Sequence, residues 1–139
     1  MILVDTNVII DIVVADPVWR EWSAIQLDRH RSSGVLSINE VGFAELAARS
    51  ENERVMKAAL DELGVKFERM PTAALFAAGQ AFRRYRAAGG PRLSILADFF
   101  MGAHGQNLRV PILTRDVRRY RTYFPDVTLI TPEGVTPTA

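Results

Sequence analysis

The chain opens Met1-Ile2-Leu3-Val4-Asp5-Thr6-Asn7-Val8-Ile9-Ile10-Asp11, an apolar run that ends on a carboxylate and then resumes. Residues 1–4 have no polar side chain to present to water, which predicts a short strand buried on both faces. Asp5 stops that strand, and residues 7–14 predict a helix leading away from it. A buried strand, an acid at its carboxyl end and a following helix form the first half of a strand–helix–strand unit.

The same pattern recurs downstream. Val35-Leu36-Ser37, Val65-Lys66-Phe67, Val110-Pro111-Ile112-Leu113-Thr114 and Val127-Thr128-Leu129-Ile130 are further short apolar strands. Asp16-Pro17 pairs an N-cap with a first-turn proline, predicting a helix to about Arg31 with Val18, Trp22 and Ile25 inward. Ser37-Ile38-Asn39-Glu40 has capping-box spacing and predicts a helix to about Ala48. Val55, Ala59 and Leu63 mark another stripe, closed by Gly64. Leu75, Ala78, Phe82 and Tyr85 mark the next, stopped by Gly89-Gly90-Pro91. Ser94 is placed as the cap of a strongly apolar helix to about Gly105. Strands alternating with helices predict an α/β fold, a parallel sheet of about five strands covered on both faces. Residues 1–139 read as one domain, with 131–139, rich in Thr and Pro, as a C-terminal tail.

Composition narrows the classes. A chain of 139 residues, 48% hydrophobic and 24% charged, builds a real core and is neither disordered nor fibrous. Seventeen basic against sixteen acidic residues leave a net charge of +1, unlike a uniformly basic DNA-binding domain. With no cysteine, disulfides and thiolate-bound metals are excluded. No apolar run approaches the roughly 18 residues of a membrane span. The apolar N-terminus lacks a basic region and is cut by Asp5, Asn7 and Asp11, so no export signal is read and the expected location is the cytoplasm.

Four carboxylates stand in apolar surroundings. Asp5 and Asp116, at or just beyond strand carboxyl ends, share the rim where open parallel sheets bind ligands. Glu45 falls on the helical face of Val41 and Ala48. Asp98 interrupts Leu93-Ser94-Ile95-Leu96-Ala97-Asp98-Phe99-Phe100-Met101-Gly102-Ala103, with no basic residue within a turn. An isolated buried carboxylate costs several kcal/mol unless neutralised or paired. Two such acids about 4 Å apart repel by roughly 4 kcal/mol at an effective dielectric near 20. A divalent cation converts the repulsion into binding, and an all-oxygen donor set favours Mg²⁺ or Mn²⁺. Such ions suit phosphodiester hydrolysis. The crowded acids are expected to have raised pKa values without metal, so that Asp98→Asn hardly harms metal-free stability near neutral pH.

At these residues the chain resembles a known family. Val4-Asp5-Thr6-Asn7-Val8-Ile9-Ile10-Asp11 is similar to the opening motif of PIN domains, and Phe43-Ala44-Glu45-Leu46 to the second acidic motif. Leu96-Ala97-Asp98-Phe99-Phe100-Met101-Gly102-Ala103-His104 resembles the third, in the form seen among bacterial VapC-like toxins. Leu113-Thr114-Arg115-Asp116, followed by Tyr120 and Phe124-Pro125, resembles the fourth. The resemblance implies a three-layer α/β/α fold and a Mg²⁺- or Mn²⁺-dependent endoribonuclease, the toxin of a toxin–antitoxin system. It further implies an RNA substrate, a homodimer and inhibition by a VapB-like antitoxin. Carried over by motif, Asp5, Glu45, Asp98 and Asp116 are the catalytic and metal-binding quartet, supported by Asn7 and Thr114.

Around this set, Arg92, Arg115, Arg118 and Arg119 are candidate RNA contacts, with neighbouring tyrosines as stacking surfaces for unpaired bases. Part of these clusters could instead meet an acidic antitoxin segment. His104 lies about 240° around the helix from Asp98, so a packed histidine is expected there rather than a ligand. Asp11, one turn after Asn7, is a weaker candidate for an outer role. Trp19 and Trp22 read as core or interface residues. Two alternatives stay open: a catalytically silent PIN-like module that binds metal and antitoxin, and a haloacid-dehalogenase-like phosphohydrolase. The latter wants a second acid two residues after its nucleophile, where Asn7 stands.

Overall fold

The structure, a computed structural model, describes residues 1–136. Its elements run β1 (Ile2–Val4), α1 (Thr6–Val13), α2 (Arg20–Arg31), β2 (Leu36–Ile38), α3 (Glu40–Ala47), α4 (Glu53–Leu63) and β3 (Val65–Phe67). They continue α5 (Thr72–Ala87), α6 (Ala97–Leu108), β4 (Ile112–Leu113), α7 (Arg118–Tyr123), β5 (Leu129–Thr131) and β6 (Gly134–Thr136). The strands form one sheet in the order β3-β2-β1-β4-β5-β6, parallel except for β6, which runs antiparallel to β5. The sixth strand is the one departure from the expected sheet. Residues 131–136 are a hairpin end and not a tail, because Gly134, at φ 117°, takes a backbone that lets the chain turn back along β5. The tail reading of 137–139 lies outside the described residues.

Alternation along the strands divides the core. Ile2, Val4, Leu36, Ile38, Leu113 and Ile130 face one layer, which holds Val8, Ile9, Leu27, Leu46, Met56 and Leu60 of the first four helices. Leu3, Ile112 and Leu129 point the other way, onto Ala78, Tyr85, Phe99, Met101, Tyr120 and Phe124 of α5, α6 and α7. Successive strand residues point to opposite faces, so a strand buried on both sides has to be apolar throughout, as β1 is. Gly102 is the close approach in the second layer: a Cβ there would lie 2.2 Å from the Phe124 ring. Among the described residues, no helix is long and apolar enough to cross a membrane.

Several helix faces and starts differ from the pattern read in the sequence. On α2 the buried residues are Ser23, Gln26 and Leu27, while Val18 and Ile25 are exposed. Polar Ser23 turns inward because it has a buried partner, described below. On α4 the buried pair is Met56 and Leu60, one residue on from the expected stripe, and Val55 is exposed. On α5 small Ala74, Ala78 and Ala81 are buried with Tyr85, and Leu75 is exposed. Asn39 rather than Ser37 caps α3, accepting the Gly42 N–H at 3.0 Å, and Ser37 is buried in β2. Finally, α6 begins at Ala97 rather than after Ser94. Asp98 is therefore the second residue of its helix, not a mid-helix acid.

Candidate active site

The sheet order sets the location. From β1 the chain steps outward to β2 and β3, then returns to β4 on the opposite side of β1. The switch point lies between β1 and β4, and ligands of open parallel sheets bind beyond the carboxyl ends there. Asp5 follows β1 and Thr114 follows β4. The Asp5 N–H donates to the Leu113 carbonyl at 2.9 Å, so the two strand ends are clamped together.

Asp5 is the centre of the polar network. Its Oδ2 accepts the Thr114 hydroxyl at 2.9 Å and the Tyr120 hydroxyl at 2.7 Å. With its single proton committed to Asp5, Thr114 Oγ1 accepts from Asn7 Nδ2 at 3.3 Å and from the Asp116 N–H at 3.2 Å. Burial pushes the Asp5 carboxyl up to about 6. The bonds from Tyr120 and Thr114 oppose that rise, and the charges of Asp98 and Glu45 reinforce it. Tyr120 is buried, and its hydroxyl is held well above the ordinary tyrosine value by burial and by Asp5, so it stays a proton donor. Asp5 thus registers the charges of Asp98 and Glu45 through space.

The other three acids sit differently. Glu45, on α3, is exposed, and its Oε1 accepts the buried Thr6 hydroxyl at 3.0 Å. Asp98, in the first turn of α6, gains from the positive end of that helix. Its Oδ2 accepts Arg119 Nη1 at 3.0 Å. That arginine, from α7, corrects the expectation that Asp98 has no cationic partner. The raised carboxyl expected of crowded acids is found at Asp5. Asp116 stands on the rim with its side chain half exposed, 3.6 Å from Arg118 Nε, and joins the network through its backbone at Thr114. Asp98 and Glu45 thus lie near enough for their charges to act on Asp5, while Asp116 meets the network through its backbone.

Whether such residues suit a divalent ion can be judged from the donors. All are hard oxygens, the chemistry Mg²⁺ and Mn²⁺ prefer. Asn7 Oδ1, beside Thr114, is buried with no hydrogen-bond partner among the described residues, an acceptor left for a hydrated cation. Among the described residues, no three His, Cys, Asp or Glu side chains are yet gathered as a ready ligand set. Asp98 is hydrogen-bonded to Arg119, and Glu45 to Thr6. The donor set fits, and two of its members are held by other partners.

The candidate RNA contacts divide as well. Arg115 is tied to Asp11, with Nε–Oδ2 and Nη2–Oδ1 both 2.8 Å, and its guanidinium lies 5.6 Å from the centre of the Trp19 ring. Asp11 also accepts the Ser23 hydroxyl at 2.9 Å, which explains why Ser23 is buried. Arg115 is thus occupied, as is Arg119. Tyr120, buried against Asp5, cannot stack on a base. Arg118 and Arg92 are exposed, Arg92 in a loop held by Arg86, which donates to the Gly90 and Arg92 carbonyls. His104 is buried by packing, with Nδ1 3.2 Å from Asn39 Nδ2.

 Because Asn39 Oδ1 is used by Gly42, its amide nitrogen is the donor here and His104 Nδ1 the acceptor. The imidazole is therefore neutral, and burial holds its pKa down. It links α6 to the start of α3, the two helices that carry Asp98 and Glu45, and it is not a ligand. Thr6 and Tyr120 fall within or beside the quoted motifs, yet motif reading gave neither a part in holding the acids. Their only signal was position, one residue after Asp5 and four after Asp116.

The comparisons with known proteins agree with this fold. Solved structures with the same fold include VapBC2 from Rickettsia felis bound to a promoter DNA fragment, at 17% identity and a TM-score of 0.70, covering 94% of this chain and 98% of that one. VapBC-1 from nontypeable Haemophilus influenzae is similar at 20% identity and 0.66, covering 94% and 98%. A toxin–antitoxin complex from Klebsiella pneumoniae is similar at 18% and 0.64, covering 95% and 98%. No curated protein sequence matches the chain. Residues 2–125 match the sequence model of the PIN domain, and the chain belongs to that family.

Proposed function

We propose that this PIN domain is a divalent-metal-dependent endoribonuclease, the toxin of a VapBC-type pair. The observation that carries the reading is Asp5. It is a carboxyl raised to about 6 at the sheet's switch point, pushed up by burial and by the charges of Asp98 and Glu45 and held by two hydroxyls. A protein keeps acids in so unfavourable a place where a cation is to bind.

Asp5, Asp98 and Glu45 would hold Mg²⁺ or Mn²⁺, with Asp116 at the rim. When bound, the ion supplies a water of lowered pKa and charge to meet a phosphate. The chain's own residues do the rest. Thr114 and Tyr120 fix the Asp5 rotamer, Thr6 aims Glu45, and Asn7 braces Thr114 from α1. Arg92 and Arg118, both exposed, are the cations left to meet an RNA backbone.

A VapB-like antitoxin is the proposed partner. The VapBC complexes that share the fold support it, as does an apolar groove between α1, α3 and α4 lined by Ile9, Ile10, Val13, Leu46, Val55 and Met56. Phe76 on α5 and Leu93 after it are strongly exposed large apolar side chains, which favours a homodimer. A cytoplasmic location is part of the same proposal. Family membership removes the haloacid-dehalogenase alternative. The catalytically silent module is the reading left to exclude.

The test is cleavage of RNA by the purified protein with Mg²⁺ or Mn²⁺. Cleavage is expected to stop in EDTA, and Asp98→Asn is expected to lower it by about 100-fold or more, the scale of losing a group that meets developing charge. Equal cleavage by wild type and Asp98→Asn would overturn the nuclease reading. Metal binding without any cleavage would leave the silent module.

A further inference from the structure

Asp98 and Arg119 belong to different helices and meet through one hydrogen bond, Nη1 to Oδ2 at 3.0 Å. Neither side chain is sealed from water, at 31% and 37% exposure. The acid is one of those that act on Asp5, so the guanidinium lies at the edge of the acidic group and carries the opposite charge. A single bond between part-exposed partners is weak and exchanges readily. A doubly charged ion competes for the same carboxylate with twice the charge.

We infer that Arg119 is a resident counter-cation: it occupies Asp98 in the metal-free protein and has to leave before a divalent ion takes that carboxylate. Arg119 thereby sets the cation concentration at which the site loads. This rests on the metal-binding part of the proposed function, not on the cleavage of RNA. The exchange is a substitution of one cation for another. No covalent bond changes, and the arginine is released with its charge intact beside the site.

The experiment is calorimetric titration with Mn²⁺, without RNA and at fixed ionic strength. The proteins compared are wild type, Arg119→Gln, Arg119→Met and Arg121→Gln. Arg121 lies on the same helix but bonds Glu133 at 3.0 Å, so its variant removes an equal charge without touching Asp98. Both Arg119 variants are expected to bind Mn²⁺ about fivefold more tightly, the scale of a part-exposed ion pair. Arg121→Gln is expected to change affinity less than about twofold by screening. Unchanged or weaker binding by both Arg119 variants overturns the inference while leaving the metal site intact, and so does an equal gain in Arg121→Gln. No Mn²⁺ binding by any of the four proteins ends the metal reading itself, and the inference with it. A Mn²⁺-loaded crystal structure is the second measurement. Arg119 is expected beyond hydrogen-bond distance of Asp98, and an intact Arg119–Asp98 bond beside bound metal overturns the exchange.

Discussion

Arg115 and Arg119 stand four residues apart in the sequence, Arg115 before α7 and Arg119 within it, and each meets an aspartate from a distant element. Arg115 grips Asp11 through two bonds of 2.8 Å; the acid is 1% exposed, and Ser23 and Trp19 complete the enclosure. Arg119 holds Asp98 by one bond, with water at both side chains. The same two residue types make a bolt in one place and a removable stopper in the other. Burial decides between them. A charge sealed from solvent cannot lose its partner without a large desolvation penalty, whereas an open pair can trade protein for water or another ion.

The largest effect should come from breaking the bolt. Arg115→Ala leaves Asp11 buried and unpaired, and is expected to destabilise the protein by about 3 kcal/mol in urea unfolding. A loss below about 1 kcal/mol would erase the distinction between the pairs.

Next is the acid that has no cationic partner among its hydrogen bonds. Asp5 has a folded-state pKa of about 6 against an ordinary value of 3.8, so the folded protein binds its proton more tightly than the unfolded chain. Its contribution to stability is full below about pH 4 and is lost as pH rises through about 6. In EDTA, wild type is expected to lose roughly 2 kcal/mol over that range relative to Asp5→Asn, a figure reduced for partial solvent contact. Parallel pH profiles for the two proteins would remove this assignment.

The smallest effect should be at the stopper. Without metal, Arg119→Gln is expected to change unfolding free energy by less than about 1 kcal/mol, as exposed pairs do. A cost near that of Arg115→Ala would make Arg119 structural and would weaken its proposed exchange with a cation.

The four acids were singled out by a local argument, a carboxylate where apolar neighbours imply burial, and Glu45 and Asp116 are exposed instead. For Asp5 that argument works because β1 and β4 are consecutive apolar strands in space, whose ends converge. For Asp98 it rested on a partly mistaken premise. Read as mid-helix, the residue looked stranded, but α6 starts one residue before it and residues 91–96 are not helical. The arginines were misread in the same way. Their crowding around Asp116 suggested free cations for RNA, yet Arg115 and Arg119 are each spent on an acid that linear spacing does not associate with them.

Strand and helix alternation, the apolar character of β1 and the acid at its end are properties of neighbouring residues, and periodicity reports them directly. Those features sufficed for a parallel α/β sheet with a carboxylate at its rim. The partners of Asp11 and Asp98 lie 104 and 21 residues away, and the sheet order alone brings them into contact. Which guanidinium is locked and which is exchangeable was decided only by tertiary packing, because the strength of an ion pair depends on the water that folding removes from around it.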